Sequence, residues 1–136
     1  MGIIMEGPTY ERFSTEGVED AVIRLGAELK RRGFGILSTV RIHDILLEKT
    51  EAVIEPIVLL DVCSPRHALA ALGVSRDVAI LLPCKLEVSS ERGRTRITLQ
   101  RPTSLIGAFL PQPKLERMGA EIEQSLKEAV DASAEA

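Results

Sequence analysis

The sequence is poor in aromatic side chains, which make up 3% of its 136 residues and include no tryptophan. A base-stacking surface or an aromatic ligand cage therefore has little material to be built from. The chain also lacks an excess of positive charge, because its formal net charge is -3. We therefore expect no nucleic-acid partner. No apolar run approaches the ~20 residues that a membrane helix needs, so we expect no membrane association either.

Only two cysteines are present, too few for the disulfide framework of a small secreted protein. We expect a cytoplasmic protein with reduced thiols. With 45% hydrophobic and 27% charged residues, the chain has enough apolar material for one core. We therefore expect a single domain over residues 1–136, with flexible ends at 1–8 and 131–136.

The spacing of apolar residues predicts the order strand, helix, strand, short helix, strand, helix, strand, strand, helix. Ile57–Cys63 is a nearly continuous apolar run, typical of a strand covered on both faces. Val78–Val88 and Arg94–Gln100 form a predicted C-terminal hairpin, and proline and glycine between 102 and 113 predict a loop.

A predicted helix from Ser64 to Gly73 joins the strand that ends at Cys63 to the strand that holds Cys84. A connection of this length suffices for a parallel βαβ crossover. We therefore expect an α+β fold. It is a two-layer sandwich whose mixed sheet contains one βαβ crossover and a C-terminal hairpin, with helices mainly on one face.

Three strings of residues occur in a characteristic order along the chain. They are Gly33–Leu37 after a helix, Asp61–Pro65 before Ala68 and Leu69, and Leu81–Val88. Together they resemble the domain-of-unknown-function 302 family of small bacterial and archaeal proteins, which usually has Asn where this chain has Ser64 and Lys85. The resemblance implies a small α/β domain that associates as a homodimer. It implies no activity, substrate or cofactor.

The two cysteines are the first candidates for a functional site. If their strands pair in parallel, Cys63 and Cys84 come to a similar height, roughly 5 Å apart on neighbouring strands. Such a pair could be redox-active or could hold a ligand or a metal. Alternatively, both cysteines pack as small hydrophobic residues. Since Cys63 directly precedes a helix N-terminus, we expect its thiol to be the more reactive of the two.

Four further side chains near Cys63 complete the candidate thiol or ligand site. Asp61 is a carboxylate in an apolar strand and needs a partner, which Arg66 could supply. We expect the Ser64 hydroxyl to cap the helix, whose N-terminus could hold an anion together with Arg66 and His67.

We assign no catalytic residue, because no nucleophile motif is present. His67 and His43 could assist the thiols at a metal, but no pair of ligands recurs at short spacing. We therefore expect neither a metal nor a cofactor.

Arg92, Arg94 and Arg96 recur with a period of two, so all three are predicted to project from one face of the last strand. This row could contact nucleic acid. The net charge favours a solvated face opposite Lys85 and Glu87, and such charges also discourage edge-to-edge aggregation.

These observations favour a homodimeric module that binds a small molecule or has a regulatory role. A thiol-dependent redox protein or enzyme using Cys63 and Cys84 is the alternative. A nucleic-acid contact protein using the arginine row is a second alternative.

Overall fold

Five strands form one antiparallel sheet in the computed structural model, which describes residues 7–134. The spatial order is β1-β5-β4-β3-β2, and every neighbouring pair is antiparallel. The strands are β1 (Thr9–Ser14), β2 (Gly35–Arg41), β3 (Ile57–Cys63), β4 (Cys84–Glu91) and β5 (Arg94–Gln100).

Two long helices cover one face of this sheet. The helices are α1 (Val18–Arg31), α2 (Ile42–Thr50), α3 (Pro65–Val74), α4 (Pro102–Phe109) and α5 (Pro113–Ala134), and a 3₁₀ helix spans Arg76–Leu81. The apolar stripe of α1 and the buried residues of α5 pack on alternate residues of the strands to form the main core. This arrangement confirms the predicted α+β sandwich.

The predicted mixed sheet and βαβ crossover are wrong. β3 and β4 run antiparallel, and Val62 pairs with Cys84. The end of β3 and the start of β4 therefore lie at the same end of the sheet. The residues predicted to begin the fourth strand form the 3₁₀ helix instead, because Val78 is buried against Ala71 in a second apolar cluster. The connection therefore folds over the end of the sheet and returns.

The second cluster lies among α3, the 3₁₀ helix, α4 and the start of α5. It consists of Ala71, Val78, Ile106 and Leu115, with Leu72, Val74, Leu81, Leu110 and Met118 packed around them. The predicted loop after β5 contains α4, which begins with Pro102 at its first position, where proline is well tolerated.

The prediction that β3 is covered on both faces is also wrong. Its burial alternates strictly, with Val58, Leu60 and Val62 fully buried beneath the helices. Leu59 and Asp61 lie on the opposite face, which we call the open face of the sheet. β3 therefore behaves as an ordinary one-sided antiparallel strand despite its apolar composition.

The described part of each chain end is held by hydrogen bonds. The backbone N–H of Arg101 donates to the Pro8 carbonyl at 2.8 Å, and its guanidinium donates to the Gly7 carbonyl at 2.6 Å. At the other end, residues 131–134 continue α5, where Ser133 is fully buried. The rest of the predicted flexible ends, residues 1–6 and 135–136, lies outside the described residues.

Candidate functional site

A cavity of about 50 Å³ lies where the end of the sheet meets the second cluster. Its walls come from the ends of β3, β4 and β5 and from α3, the 3₁₀ helix, α4 and α5. The apolar lining residues include Val62, Ala68, Ala71, Leu82, Ile106 and Met118, and the polar or thiol-bearing ones are Cys63, Ser64, His67, Cys84 and Gln100. The cavity is therefore mainly apolar, with a small set of groups capable of hydrogen bonding.

Both cysteines line this cavity and neither is in a disulfide. Cys84 is the first residue of β4 and lies opposite Val62, against the main core. Burial, and next the nearby Cys63, raise the pKa of the Cys84 thiol to about 11. Cys84 is consequently an uncharged thiol at neutral pH. The predicted parallel arrangement of the two cysteines is wrong: the strands are antiparallel and Cys84 pairs with Val62, although Cys63 and Cys84 both line the cavity.

The Ser64 hydroxyl does not cap α3, which corrects the prediction. Ser64 is the N-cap residue, yet its side chain makes no hydrogen bond to the helix backbone. Instead, its Oγ lies 2.7 Å from Nδ1 of His67, one turn into α3. Ser64 is 9% exposed and His67 is half-buried, and both line the cavity.

Asp61 lies on the open face of the sheet and not in the cavity. Its carboxylate accepts hydrogen bonds from Ser38 Oγ at 2.7 Å and from Lys85 Nζ at 3.0 Å. Hydrogen bonds from Ser38 and then Lys85 hold the pKa of this carboxyl below its usual range. The predicted partner, Arg66, is exposed and lines neither the cavity nor the groove described next. The candidate site therefore separates: Cys63, Ser64, His67 and Cys84 line the cavity, whereas Asp61 does not.

A larger, open groove of about 1020 Å³ runs past Asp61 and Lys85 on the outside of the 3₁₀ helix. Ile80 and Phe109, both largely exposed, contribute apolar surface to it. The groove and the cavity share Leu81, Leu82, Gln100 and Leu105 as lining residues. The groove and the cavity therefore adjoin at these four residues. The sequence does not predict this arrangement, because it predicts Leu81 and Leu82 to be part of a strand.

The three arginines do not form one row. Arg92 lies in the β4–β5 turn with a φ of 53°, in the left-handed region. The guanidinium of Arg94 stacks over the Phe13 ring at 3.9 Å. Arg96 is surrounded by carboxylates and approaches those of Glu11, Glu87 and Glu91 at 3.8, 3.6 and 3.4 Å. The positive charge of Arg96 is therefore largely neutralised within the chain.

Within residues 7–134, no three His, Cys, Asp or Glu side chains group closely enough to hold a metal ion. Across the same part of the chain, no helix combines the length and apolar character that crossing a membrane requires.

The geometry defines a small α+β sandwich with a partly open cavity, lined by both cysteines, at one end of its sheet. Residues 10–133 match the family model described as domain of unknown function DUF302. The chain is also similar to the uncharacterized conserved protein DUF302 from Bacillus stearothermophilus, known from a crystal structure. The two are 34% identical with a TM-score of 0.89, over 93% of this chain and 98% of that one. No curated protein matches the chain. The chain belongs to the DUF302 family.

Proposed function

We propose that the protein is a homodimeric module that binds a small ligand in the cavity beside Cys84. One observation carries the binding proposal: the cavity remains between two closely packed apolar clusters and brings several groups capable of hydrogen bonding to its wall. A cavity of 50 Å³ costs about 1 kcal/mol of stability when nothing fills it. Binding a ligand recovers those lost contacts and couples occupancy to stability, which suits a regulatory role.

The lining indicates the chemical character of the ligand. Most of the wall is apolar, so the body of the ligand must be apolar as well. The Ser64–His67 pair supplies a hydroxyl and an imidazole that can bind one polar group. We therefore propose a ligand of a few heavy atoms with an apolar body and a single hydrogen-bonding end.

Xenon tests whether the cavity admits a ligand, because it is a small apolar probe of dry cavities. In methyl-labelled protein under xenon pressure, we expect saturable shifts at Val62, Leu82 and Ile106, which line the cavity. The Val58 methyls lie in the main core, do not line the cavity, and should not shift.

The matched variant is Ala68→Leu, which directs a larger side chain into the cavity and should abolish the shifts. Equal shifts at Val58, or unchanged shifts in Ala68→Leu, would show that xenon binds elsewhere.

The homodimer proposal is supported by the free edge of β2. The predicted reason for dimerisation fails, because β4 and β5 of the hairpin lie inside the sheet and present no edge. β2 does form an edge, and Ile36 and Leu37 are exposed there. An exposed apolar edge strand is a template for pairing with a second chain.

Sedimentation at micromolar concentration should return twice the chain mass of 14.8 kDa. Leu37→Lys places a charge at the β2 edge and should shift the protein to monomer. Ile23→Lys makes the same change on an exposed part of α1 and should remain dimeric. A wild-type monomer, or a Leu37→Lys dimer as tight as wild type, would contradict this assignment.

The second candidate function is a thiol-dependent redox protein that uses Cys63 and Cys84. One observation favours it: the thiols line the same cavity and lie close enough for Cys63 to influence the ionisation of Cys84. Alkylation of Cys63→Ser and Cys84→Ser proteins, each retaining one thiol, tests the pair. At pH 8 we expect Cys84→Ser, which retains Cys63, to be alkylated faster than Cys63→Ser, because the Cys84 thiol is protonated at that pH. Equal rates would remove the support for this function.

A further inference from the structure

Ser64 lies at the junction between β3 and α3, where a strand ends and a helix begins at the next residue. Its Oγ lies 2.7 Å from Nδ1 of His67, and both residues line the cavity. In the tautomer that carries its proton on Nε2, the imidazole accepts the hydroxyl proton through Nδ1. A serine hydroxyl bonded to a basic nitrogen is the pairing that activates a nucleophile. The junction therefore brings an activatable hydroxyl to the cavity.

The first turn of α3 supplies two backbone donors beside Ser64. First-turn N–H groups have no partner inside a helix, and Pro65 has no N–H. The Ser64 side chain leaves the N–H groups of Arg66 and His67 unbonded, and neither donates elsewhere within residues 7–134. An N-cap side chain normally accepts hydrogen bonds from N–H groups at these two positions, so they lie within reach of an oxygen on a group attached to Ser64 Oγ. They are the kind of donors that stabilise an oxyanion.

We propose that the protein hydrolyses small esters of short acyl groups, with Ser64 as the nucleophile and His67 as the general base. This activity rests on the proposed binding of a small ligand in the cavity and identifies that ligand as the acyl part of an ester. A volume of 50 Å³ holds a few heavy atoms, which limits the acyl group to about two or three carbons. The mainly apolar wall suits its methyl end, and the cavity is partly open toward the alcohol part. Neither thiol takes part.

The reaction balances with water as its co-reactant. The Ser64 oxygen attacks the carbonyl carbon while Nδ1 of His67 takes the hydroxyl proton, and the N–H groups of Arg66 and His67 stabilise the oxyanion. The bond to the alcohol oxygen breaks, and His67 gives the proton to that oxygen, which departs as the alcohol. Water then attacks the acyl-serine carbonyl and gives a proton to His67. The carboxylic acid leaves as that proton returns to Ser64.

p-Nitrophenyl acetate tests the reaction, because its hydrolysis releases a coloured nitrophenolate ion. We expect the full-length protein to release many equivalents per chain. Methanesulfonyl fluoride, a small reagent that sulfonylates activated serines, should stop the release and add one methanesulfonyl group, which peptide mass mapping should place on Ser64. Release that ends after one equivalent, or modification of a thiol, lysine or histidine alone, would overturn the proposal.

Ser64→Asn separates the chemistry from the fold. Asparagine is as good an N-cap residue as serine, so α3 should keep its start, whereas the amide is not a nucleophile. Turnover should therefore fall to the rate in protein-free buffer while thermal unfolding stays close to that of the wild type. Ser104→Ala removes a hydroxyl from α4, outside the cavity lining, and should keep full turnover. Turnover that persists in Ser64→Asn would overturn the proposal.

His67→Gln tests the general base. We expect kcat/KM to fall about a hundredfold, the low end of what a positioned base contributes. Added imidazole should restore part of the loss, after subtraction of the rate that imidazole gives with Ser64→Asn, and a merely structural role would not produce this rescue. His43→Gln changes the chain's other histidine, which bonds Ile57 at the start of β3, and should leave kcat/KM unchanged. Equal losses in the two histidine variants, or a loss without rescue, would overturn the role of His67.

The length of the acyl group connects the reaction to the cavity. p-Nitrophenyl hexanoate, whose chain exceeds the cavity, should react at least about tenfold more slowly than the acetate. Ala68→Leu should slow the reaction with the acetate. If xenon binds but the acetate is not turned over, the esterase proposal fails and the binding proposal stands. If Ala68→Leu excludes xenon yet hydrolyses the acetate as fast as the wild type, the reaction does not use the cavity and the esterase proposal fails.

Discussion

Cys84 lies directly opposite Val62 in the antiparallel pairing of β3 and β4. This register brings the last residue of β3 and the first residue of β4 to the same end of the sheet. The segment that connects them must therefore fold back over that end, and it does so as α3 and the 3₁₀ helix. The cavity lies beneath this segment, where its apolar side chains meet those of α4 and α5.

The first prediction concerns Cys84 and alkaline pH. Because its pKa is raised from 9.0 to about 11 in the folded protein, Cys84 stays protonated where an unfolded chain would ionise. The free energy of unfolding should therefore fall as pH rises from about 9 to 11, and it should fall less in Cys84→Ala. Urea denaturation of both proteins across this range measures the difference. Parallel curves would show that Cys84 is not buried as described.

Glu123 is the buried carboxylate that fastens α4 to α5. It accepts hydrogen bonds from the Thr103 backbone N–H at 3.0 Å and the Thr103 hydroxyl at 2.6 Å, and it pairs with Arg101 at 3.1 Å. Burial raises its pKa, but these hydrogen bonds and the charge of Arg101 outweigh burial and hold the pKa below its ordinary 4.5. Glu123→Gln should lower the free energy of unfolding at pH 7 by about 2 kcal/mol.

The pH dependence of the free energy of unfolding shows whether the charge of the Glu123 carboxylate causes this stabilisation. A lowered pKa contributes stability above about pH 4.5 that is lost as pH falls further, so the wild type should lose more stability in acid than Glu123→Gln. Glu121→Gln, exposed on the same helix, is the control and should follow the wild type. If the free energy of unfolding falls in acid as steeply for Glu123→Gln as for the wild type, this role of the carboxylate is contradicted.

Asp61 should be dispensable for the chemistry at the cavity. It lies on the open face with Ser38 and Lys85, in a partly exposed ion pair worth under about 1 kcal/mol. Asp61→Asn should therefore change stability by less than that and leave the alkylation rate of Cys63 unchanged. A large change in the alkylation rate of Cys63 would mean that Asp61 influences the cavity, which would contradict this account.

Gly119 offers a second way to fill the cavity. A Cβ at this position would lie 2.5 Å from Cδ1 of Ile106, and both residues line the cavity. Gly119→Ala should push the tip of Ile106 into that space and abolish xenon binding. The gain of about 1 kcal/mol in helix propensity should offset much of the strain. Thermal unfolding and methyl shifts check both parts, and retained xenon binding would contradict the placement of Ile106.

Much of the sheet could be predicted from local pattern. Ile57–Cys63 and Arg94–Gln100 are strands with the predicted bounds, because β-branched runs bounded by turns specify them locally. Val78–Leu81 is predicted to be part of a strand but forms a 3₁₀ helix. A short apolar run lacks the periodicity that would distinguish a strand from a buried 3₁₀ turn. Its structure depends on packing against Ala71 and Ile106, which are distant in the sequence.

The candidate site was only partly predictable for a similar reason. Sequence placed Cys63, Ser64 and His67 at a strand–helix junction, and their proximity follows from that junction alone. The choice of the Ser64 hydroxyl between the helix backbone and His67 depends on side-chain rotamers, which the sequence does not specify. The separation of Asp61 from Cys84 follows from the alternation of β3, because Cys84 lies opposite Val62, and the nearly continuous apolar composition of β3 concealed this alternation.

The central claim is that the space beside Cys84 is a ligand site, and a crystal structure of the protein under xenon pressure tests it most directly. We predict a xenon atom enclosed by Val62, Ala71, Ile106 and Cys84, and its absence from an Ala68→Leu crystal treated in the same way. Xenon found only in the outer groove near Phe109, or no ordered xenon in the wild-type protein, would contradict the claim.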